Sequence, residues 1–233
     1  MRRLARILGT LMIVAGVLML AWAFTVWRWE DPFTAVLNRF DQRELSQNLE
    51  RRFDSFVPAP EPKAPATASS HRSSLPRSAA KWDRSSKQGD AVARLRIPRL
   101  GLKSVVVNGT DHNSLKRGPG RYLKSAMPGE GQLVYIAGHR TTYGAPFARI
   151  DRLEQGDKVF LELPYGTFEY VVTGHRIVTA SKTSELKSRG FEQLALQACH
   201  PRFFASERYI VYARPVRVTL PSGESTPLAG AAG

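Results

Sequence analysis

From Ala91 to Val218 the apolar residues arrive in short runs cut by Gly, Pro and Asp: "ARLRIPRL", "KSVVVNG", "QLVYIAG", "KVFLELP", "TFEYVVTGHRIVTA", "FEQLALQAC" and "RYIVYARPVRV". Runs this short, rich in Val, Ile, Tyr and Phe, read as strands rather than packed helices. Seven or eight strands within roughly 130 residues predict an all-β domain, closed as a barrel or stacked as a sandwich. Helix is confined to "HNSLKRG" and "PFARIDRL", each one or two turns long. This domain is assigned to residues 91–220, with a disordered tail over 221–233 in "PSGESTPLAGAAG".

The preceding ninety residues are different in kind. Ile7 to Trp27 contains no charged residue, and a run of about 20 apolar residues suits a helix crossing hydrocarbon. Residues 1–30 therefore read as a membrane anchor. Arg2, Arg3 and Arg6 precede the run while Arg28, Glu30 and Asp31 follow it without basic excess, which predicts the N-terminus inside and the remaining chain outside. A cleaved signal peptide is the competing reading, because "AWA" at Ala21 to Ala23 has the form of a cleavage site. The run continues past that site and carries Trp22, Trp27 and Trp29, the residues of a membrane interface, which favours an anchor. Residues 31–56 place Phe33, Leu37, Phe40, Leu45, Leu49, Phe53 and Phe56 near helical spacing, with Asp31 as cap and Pro32 in the first turn, predicting a juxtamembrane amphipathic helix. Residues 57–90 are dense in Pro, Ala and Ser without apolar periodicity, and read as a disordered linker.

The formal net charge is +14, and residues 91–233 hold 20 basic and 11 acidic residues, hence +9. Such a balance invites nucleic acid. The basic residues are scattered, however, with no reading helix and no aromatic RNA-binding strand, so no nucleic-acid partner is expected. A basic domain outside a membrane meets anionic lipid and wall polymers instead.

One cysteine, Cys199, serves the whole chain. Counting excludes an internal disulfide, leaving an inert buried thiol or a nucleophile. In "FEQLALQAC", Leu194, Leu196 and Ala198 alternate with Gln193, Ala195, Gln197 and Cys199, so the thiol falls on the less apolar face at the end of a strand. The next strand opens with Arg208. If the two strands pair as antiparallel neighbours, Cys199 and Arg208 flank the connecting loop, about 5 Å apart at the backbone when directly opposite.

A thiol nucleophile needs a proton partner, usually histidine. His71 lies in the linker and His112 in the polar turn "GTDHNS"; both read as solvated. His175 reads as a surface or packed residue, and His200, adjacent to Cys199, points to the opposite face. His139 ends the strand "QLVYIAGHR", where glycine permits a sharp exit at a strand mouth. Spacing alone ranks it only modestly above the others. Scattered histidines and one cysteine give no closed ligand set, and no HExxH occurs, so neither metal nor cofactor is expected.

"IAGHRTTYGAPF", "ACHPRFFASERYIVYAR" and "RGPGRYLKSAMPGEGQ" together resemble the sortases, cysteine transpeptidases of Gram-positive bacteria, and most of all their class E branch in actinobacteria. The resemblance runs over residues 91 to 218 and implies a closed eight-stranded sortase β-barrel. It implies Cys199 as nucleophile, His139 as general acid/base and Arg208 as the group that holds substrate and stabilises the oxyanion. Tyr122 and, more weakly, Tyr143 are expected to line the pocket for a Leu-Ala-x-Thr-Gly or Leu-Pro-x-Thr-Gly sorting signal. Implied partners are secreted proteins bearing such signals, an amine of a cell-wall precursor, and membrane lipid. Where the family commonly has Thr-Leu-x-Thr-Cys, this chain has Ala195-Leu196-Gln197-Ala198-Cys199. Both threonines are alanines, which puts a substrate contact expected at position 198 in question. "SLPRSA" at residues 74–79 mimics part of a sorting signal but lacks Thr-Gly, and reads as coincidence.

Overall fold

The computed structural model describes residues 2–29, 32–59 and 68–228, with the backbone alone for 25–29, 32–35 and 68–73. Asp31, residues 60–67 of the linker and residues 229–233 of the tail lie outside the described residues. Among the described residues four helices, α1 (Arg2–Trp29), α2 (Pro32–Ser55), α3 (Ala68–Ser85) and α4 (His112–Arg117), accompany nine strands. These are β1 (Ala91–Ile97), β2 (Leu102–Asn108), β3 (Gly120–Arg121), β4 (Leu133–Ala137), β5 (Lys158–Leu163), β6 (Gly166–Thr179), β7 (Gln193–His200), β8 (Glu207–Thr219) and β9 (Ser225–Pro227).

The strands run β6-β5-β1-β2-β3-β4-β7-β8, and β6 pairs β8 to close the ring. The expected eight-stranded barrel is therefore present. Closure relies on the two longest strands, which stay paired from Thr167↔Thr219 to Thr179↔Glu207 with two bulges that add bend. β9 adds to the outer edge of β8, so the tail assigned as disordered pairs over Ser225–Pro227. Its three-residue length and Pro, Gly and Ser neighbours hide it from strand patterning.

Side-chain alternation fills the barrel. Leu194, Leu196, Val211, Leu161 and Phe168 are at most 1% exposed and share one interior cluster. A smaller outer cluster joins Leu133, Tyr135, Ala195, Ile210 and Tyr212 on the reverse face of the same strands.

Two helices pack against this barrel, and one corrects the sequence reading. Residues 68–85, assigned to a disordered linker, form α3. Leu75, Ala79 and Trp82 lie on one face of it, at i, i+4 and i+7, and all three are buried in the main core. Trp82 donates its Nε1 to the Val92 carbonyl at 3.0 Å, and Phe53 of α2 and Phe56 just after it meet its ring edge-on. Arg121 of β3, 3% exposed, fastens α3 to the sheet through Asp83 and also reaches Asn108 Oδ1 at 2.9 Å. Composition had concealed three anchoring side chains among small polar ones. Ser74 to Ala79, the partial sorting-signal match, is part of this docked helix.

Helix α2 runs along the barrel with Leu45 and Leu49 buried. Its Gln42 is fully engaged. Nε2 donates to the carbonyls of Val105 (3.2 Å) and Arg117 (2.7 Å), and Oε1 accepts from Val105 N (2.7 Å) and Ser104 Oγ (2.9 Å). Arg52, near the other end of α2, donates to the Ala91 carbonyl at the start of β1. Arg94 then joins α2 to the sheet by pairing with Glu50 and, at 2.8 Å, with Glu162.

Candidate active site

Strand alternation sorts the β7 residues onto two sides. Leu194, Leu196 and Ala198 are fully buried in the barrel interior, while Cys199 is partly exposed on the opposite face. Antiparallel pairing with β8 sets Cys199 directly across from Arg208, the register expected from the loop between them. β4 lies parallel to β7 on its other side, pairing Ala137 with Gln197, and Gly138 N extends the ladder to the Gln197 carbonyl at 2.9 Å. His139 consequently leaves β4 level with the end of β7. Gly138 is required there, since a Cβ on it would stand 2.6 Å from the Phe147 ring. The chain after His139 folds back closely enough for Phe147 N to reach the His139 carbonyl at 3.1 Å.

The three side chains line one cavity of about 290 Å³, together with Tyr122, Tyr135 and Gln197. Thr110 and Leu115, on and just before α4, form one wall and Leu186 another. The α4 wall is set by Asp111, which caps the helix by accepting from Asn113 N and Ser114 N. The Leu186 wall belongs to the turn Thr183–Leu186, held by Glu185, which accepts from Tyr212 Oη and pairs with Arg189 at 3.2 Å.

His139 is half-buried and its Nε2, shielded from solvent, makes no hydrogen bond within the protein. Burial first, and the nearby His112 second, hold its pKa below the ordinary 6.5. The imidazole is therefore neutral at pH 7. Because the unfolded chain takes up this proton at higher pH than the folded one, the residue costs stability as pH falls below about 6.5. A ring-proton NMR titration is expected to give His139 a midpoint below 6.5.

Arg208 Nη1 donates to the carbonyls of Ala205 (2.8 Å) and Glu207 (2.9 Å), which holds the guanidinium at the cavity rim. Its charge reaches Tyr135, whose phenol is pushed well above its ordinary range by burial, with Arg208 opposing the shift. Tyr135 in turn donates to Gln197 Oε1 at 3.1 Å.

Two expectations for substrate contact need correction. Ala198 does not face the cavity, because adjacent residues of an extended strand point to opposite sides; it is fully buried in the barrel core. Ala195 is also fully buried, in the outer cluster beside Tyr135. Neither alanine can offer or withhold a direct contact in the cavity. Tyr143 sits beside the site without lining it: its ring packs on His139 at 5.0 Å and on His112 at 6.3 Å. Tyr122 does line the cavity, against Tyr135 at 6.3 Å.

Sequence patterning missed Arg140. It is 4% exposed, and its Nη1 donates to the Cys199 carbonyl at 3.3 Å and to His200 Nδ1 at 2.9 Å. Nη2 pairs with Asp151 at 3.1 Å. The residue following His139 thus grips the residue carrying the thiol, from the reverse side of the sheet. Nothing but its adjacency to His139 marks it in the sequence. His175, stacked on Tyr209 at 4.8 Å, and His200 belong to this reverse side. Among the described residues no group of His, Cys, Asp and Glu is arranged to hold a metal.

The sortase domain model matches residues 95–216. Sortase D of Bacillus subtilis is 34% identical over 158 residues, which is 66% of this chain and 78% of that one. Sortase SrtE1 of Streptomyces coelicolor is 34% identical over 55% of this chain and 41% of its own length. The structure of sortase E from Streptomyces avermitilis superposes with a TM-score of 0.53 at 33% identity, over 59% of this chain and 96% of that one. A family match across more than half the chain, on a closed barrel whose lone thiol opens into a cavity beside a histidine and an arginine, makes this chain a member of the sortase family of cysteine transpeptidases, class E-like in its resemblances.

Proposed function

We propose that this sortase cleaves a Leu-Ala-x-Thr-Gly or Leu-Pro-x-Thr-Gly sorting signal through a thioester on Cys199 and passes the acyl group to an amine of a cell-wall precursor. The Cys199 sulfur, as thiolate, adds to the Thr carbonyl carbon. Arg208 and backbone N–H groups stabilise the oxyanion. His139, carrying the thiol proton, delivers it to the glycine nitrogen as the C–N bond breaks. The incoming amine then attacks the thioester, loses its proton to His139, and releases Cys199 with a new amide formed. Tyr122, which lines the cavity, would meet the second position of the signal.

Helix α1 would anchor the enzyme, with Arg2, Arg3 and Arg6 inside and the barrel outside. Among the described residues its stretch Arg2–Phe24 is the one helix long and apolar enough to cross a membrane, and it is not buried against the rest of the chain. The alignment of Cys199 opposite Arg208, in a cavity that His139 also lines, carries the catalytic reading.

Intact-mass spectrometry on the full chain, incubated with each of the two peptides, tests it. An acyl adduct on Cys199 that a primary amine then discharges into a ligated peptide is expected. A peptide that binds yet leaves the protein mass unchanged would make the chain a peptide-holding module instead.

A further inference from the structure

Outside α1, exposed large apolar side chains of the described residues include Val57, Ile177 and Phe191 away from the cavity, and a group at the cavity end of the barrel. On the β7–β8 loop Phe203 is 56% and Phe204 81% exposed. Near the start of α2, Leu37 is 64% and Phe40 62% exposed. Water-facing phenyl groups next to a working site need a partner, and the course of α2 indicates which one.

Helix α2 begins three residues after α1 ends, and Asn38 lies nine residues beyond Trp29. Those nine residues span about 14 Å if helical and roughly 30 Å at full extension. Asn38 donates to the Lys116 carbonyl at 2.9 Å and packs so closely on Gly144 that a Cβ there would stand 2.7 Å from its Oδ1. Lys116 belongs to α4, a wall of the cavity, and Gly144 follows Tyr143, the residue against His139. The start of α2, a few residues after the chain leaves α1, is therefore fastened at the cavity end. Parallel pairing of β4 with β7 places the β7–β8 loop at that same end.

We propose that Phe203 and Phe204 dock into the headgroup layer of the bilayer that holds α1, so that the barrel works with its cavity end against the membrane. This rests on α1 being a membrane anchor. Phenyl groups suit the boundary between headgroups and acyl chains. Arg202, whose guanidinium carbon lies 5.8 Å from the Phe203 ring centroid, adds attraction for anionic headgroups. Cleavage chemistry is unaffected by the proposal; what it fixes is where the acyl-enzyme waits for its amine.

The test uses the full chain in a Cys199→Ala background, carrying either Phe204→Cys or Phe191→Cys labelled with an environment-sensitive dye. Phe191, 52% exposed just before β7, reports on the far end of the barrel. Both proteins are reconstituted in vesicles of phosphatidylcholine and phosphatidylglycerol, with and without spin-labelled acyl chains. Vesicle flotation tests the anchor separately. The dye at 204 is expected to be quenched about twofold or more by the spin label while the dye at 191 is not. Flotation with equal, weak quenching at both positions would overturn the docking while leaving the anchor intact. Quenching or shielding at 204 that appears only with added sorting peptide would also overturn it, assigning the phenyl groups to substrate. Failure to float would remove the anchor and the proposal together.

Discussion

Replacing Cys199 with alanine is expected to abolish the acyl adduct and lower transpeptidation by about 10⁴-fold or more, because removing the nucleophile of a covalent mechanism leaves only binding and oxyanion stabilisation. No second cysteine can substitute for it. The side chain is partly exposed, so the substitution removes little packing, and the variant should unfold within about 1 kcal/mol of the parent. Peptide affinity should survive, since Tyr122, Gln197 and the cavity walls stay in place. Measured together, turnover, adduct mass and peptide binding separate chemistry from fold. An alanine variant that still ligated peptide would sink the mechanism.

Trp82→Ala is expected to destabilise the protein by about 3–5 kcal/mol, the usual cost of removing a buried aromatic from a packed core. A lowering of the melting temperature on the order of 10 °C would follow for a domain of this size. The ring is 2% exposed, lies edge-on to Phe53 and Phe56, supports the Arg52 guanidinium 4.4 Å from its centroid, and donates to Val92. Trp82→Phe should cost much less, close to the ~1 kcal/mol of one hydrogen bond plus a modest packing loss. Equal stability of the alanine variant and the parent in thermal unfolding would show that α3 contributes nothing to the barrel. By the same reasoning, a chain cut to begin at Ala91 should be far less stable than one that retains α2 and α3.

The strands were legible because the longer ones are short runs rich in Val, Ile, Leu, Tyr and Phe bounded by turn residues, and the facing of Cys199 and Arg208 followed from a short loop between two such strands. The parallel contact of β4 with β7 was not legible, since it joins residues some sixty apart with no turn to announce it. His139 therefore had to be preferred by resemblance rather than by spacing. Helix α3 escaped notice because only Leu75, Ala79 and Trp82 carry its packing; their i, i+4, i+7 interval was visible, but the surrounding Ser, Pro and Arg diluted it. Ala198 was misplaced by attending to a missing hydroxyl instead of to strand parity, which the sequence displayed. Arg140 could not have been found, because its significance lies in reaching the carbonyl of Cys199 across the sheet.

Gln42 bears on the order in which the enzyme comes into being. Its side chain fastens α2 to residues 62 to 75 positions further along the chain. Because synthesis runs from the N-terminus, the strut is made and waiting before the strands it will hold have been delivered. Contacts of such sequence separation form late, so the groove acquires its α4 side only as the barrel shuts, and a half-emerged chain presents a thiol-free scaffold rather than an unguarded nucleophile.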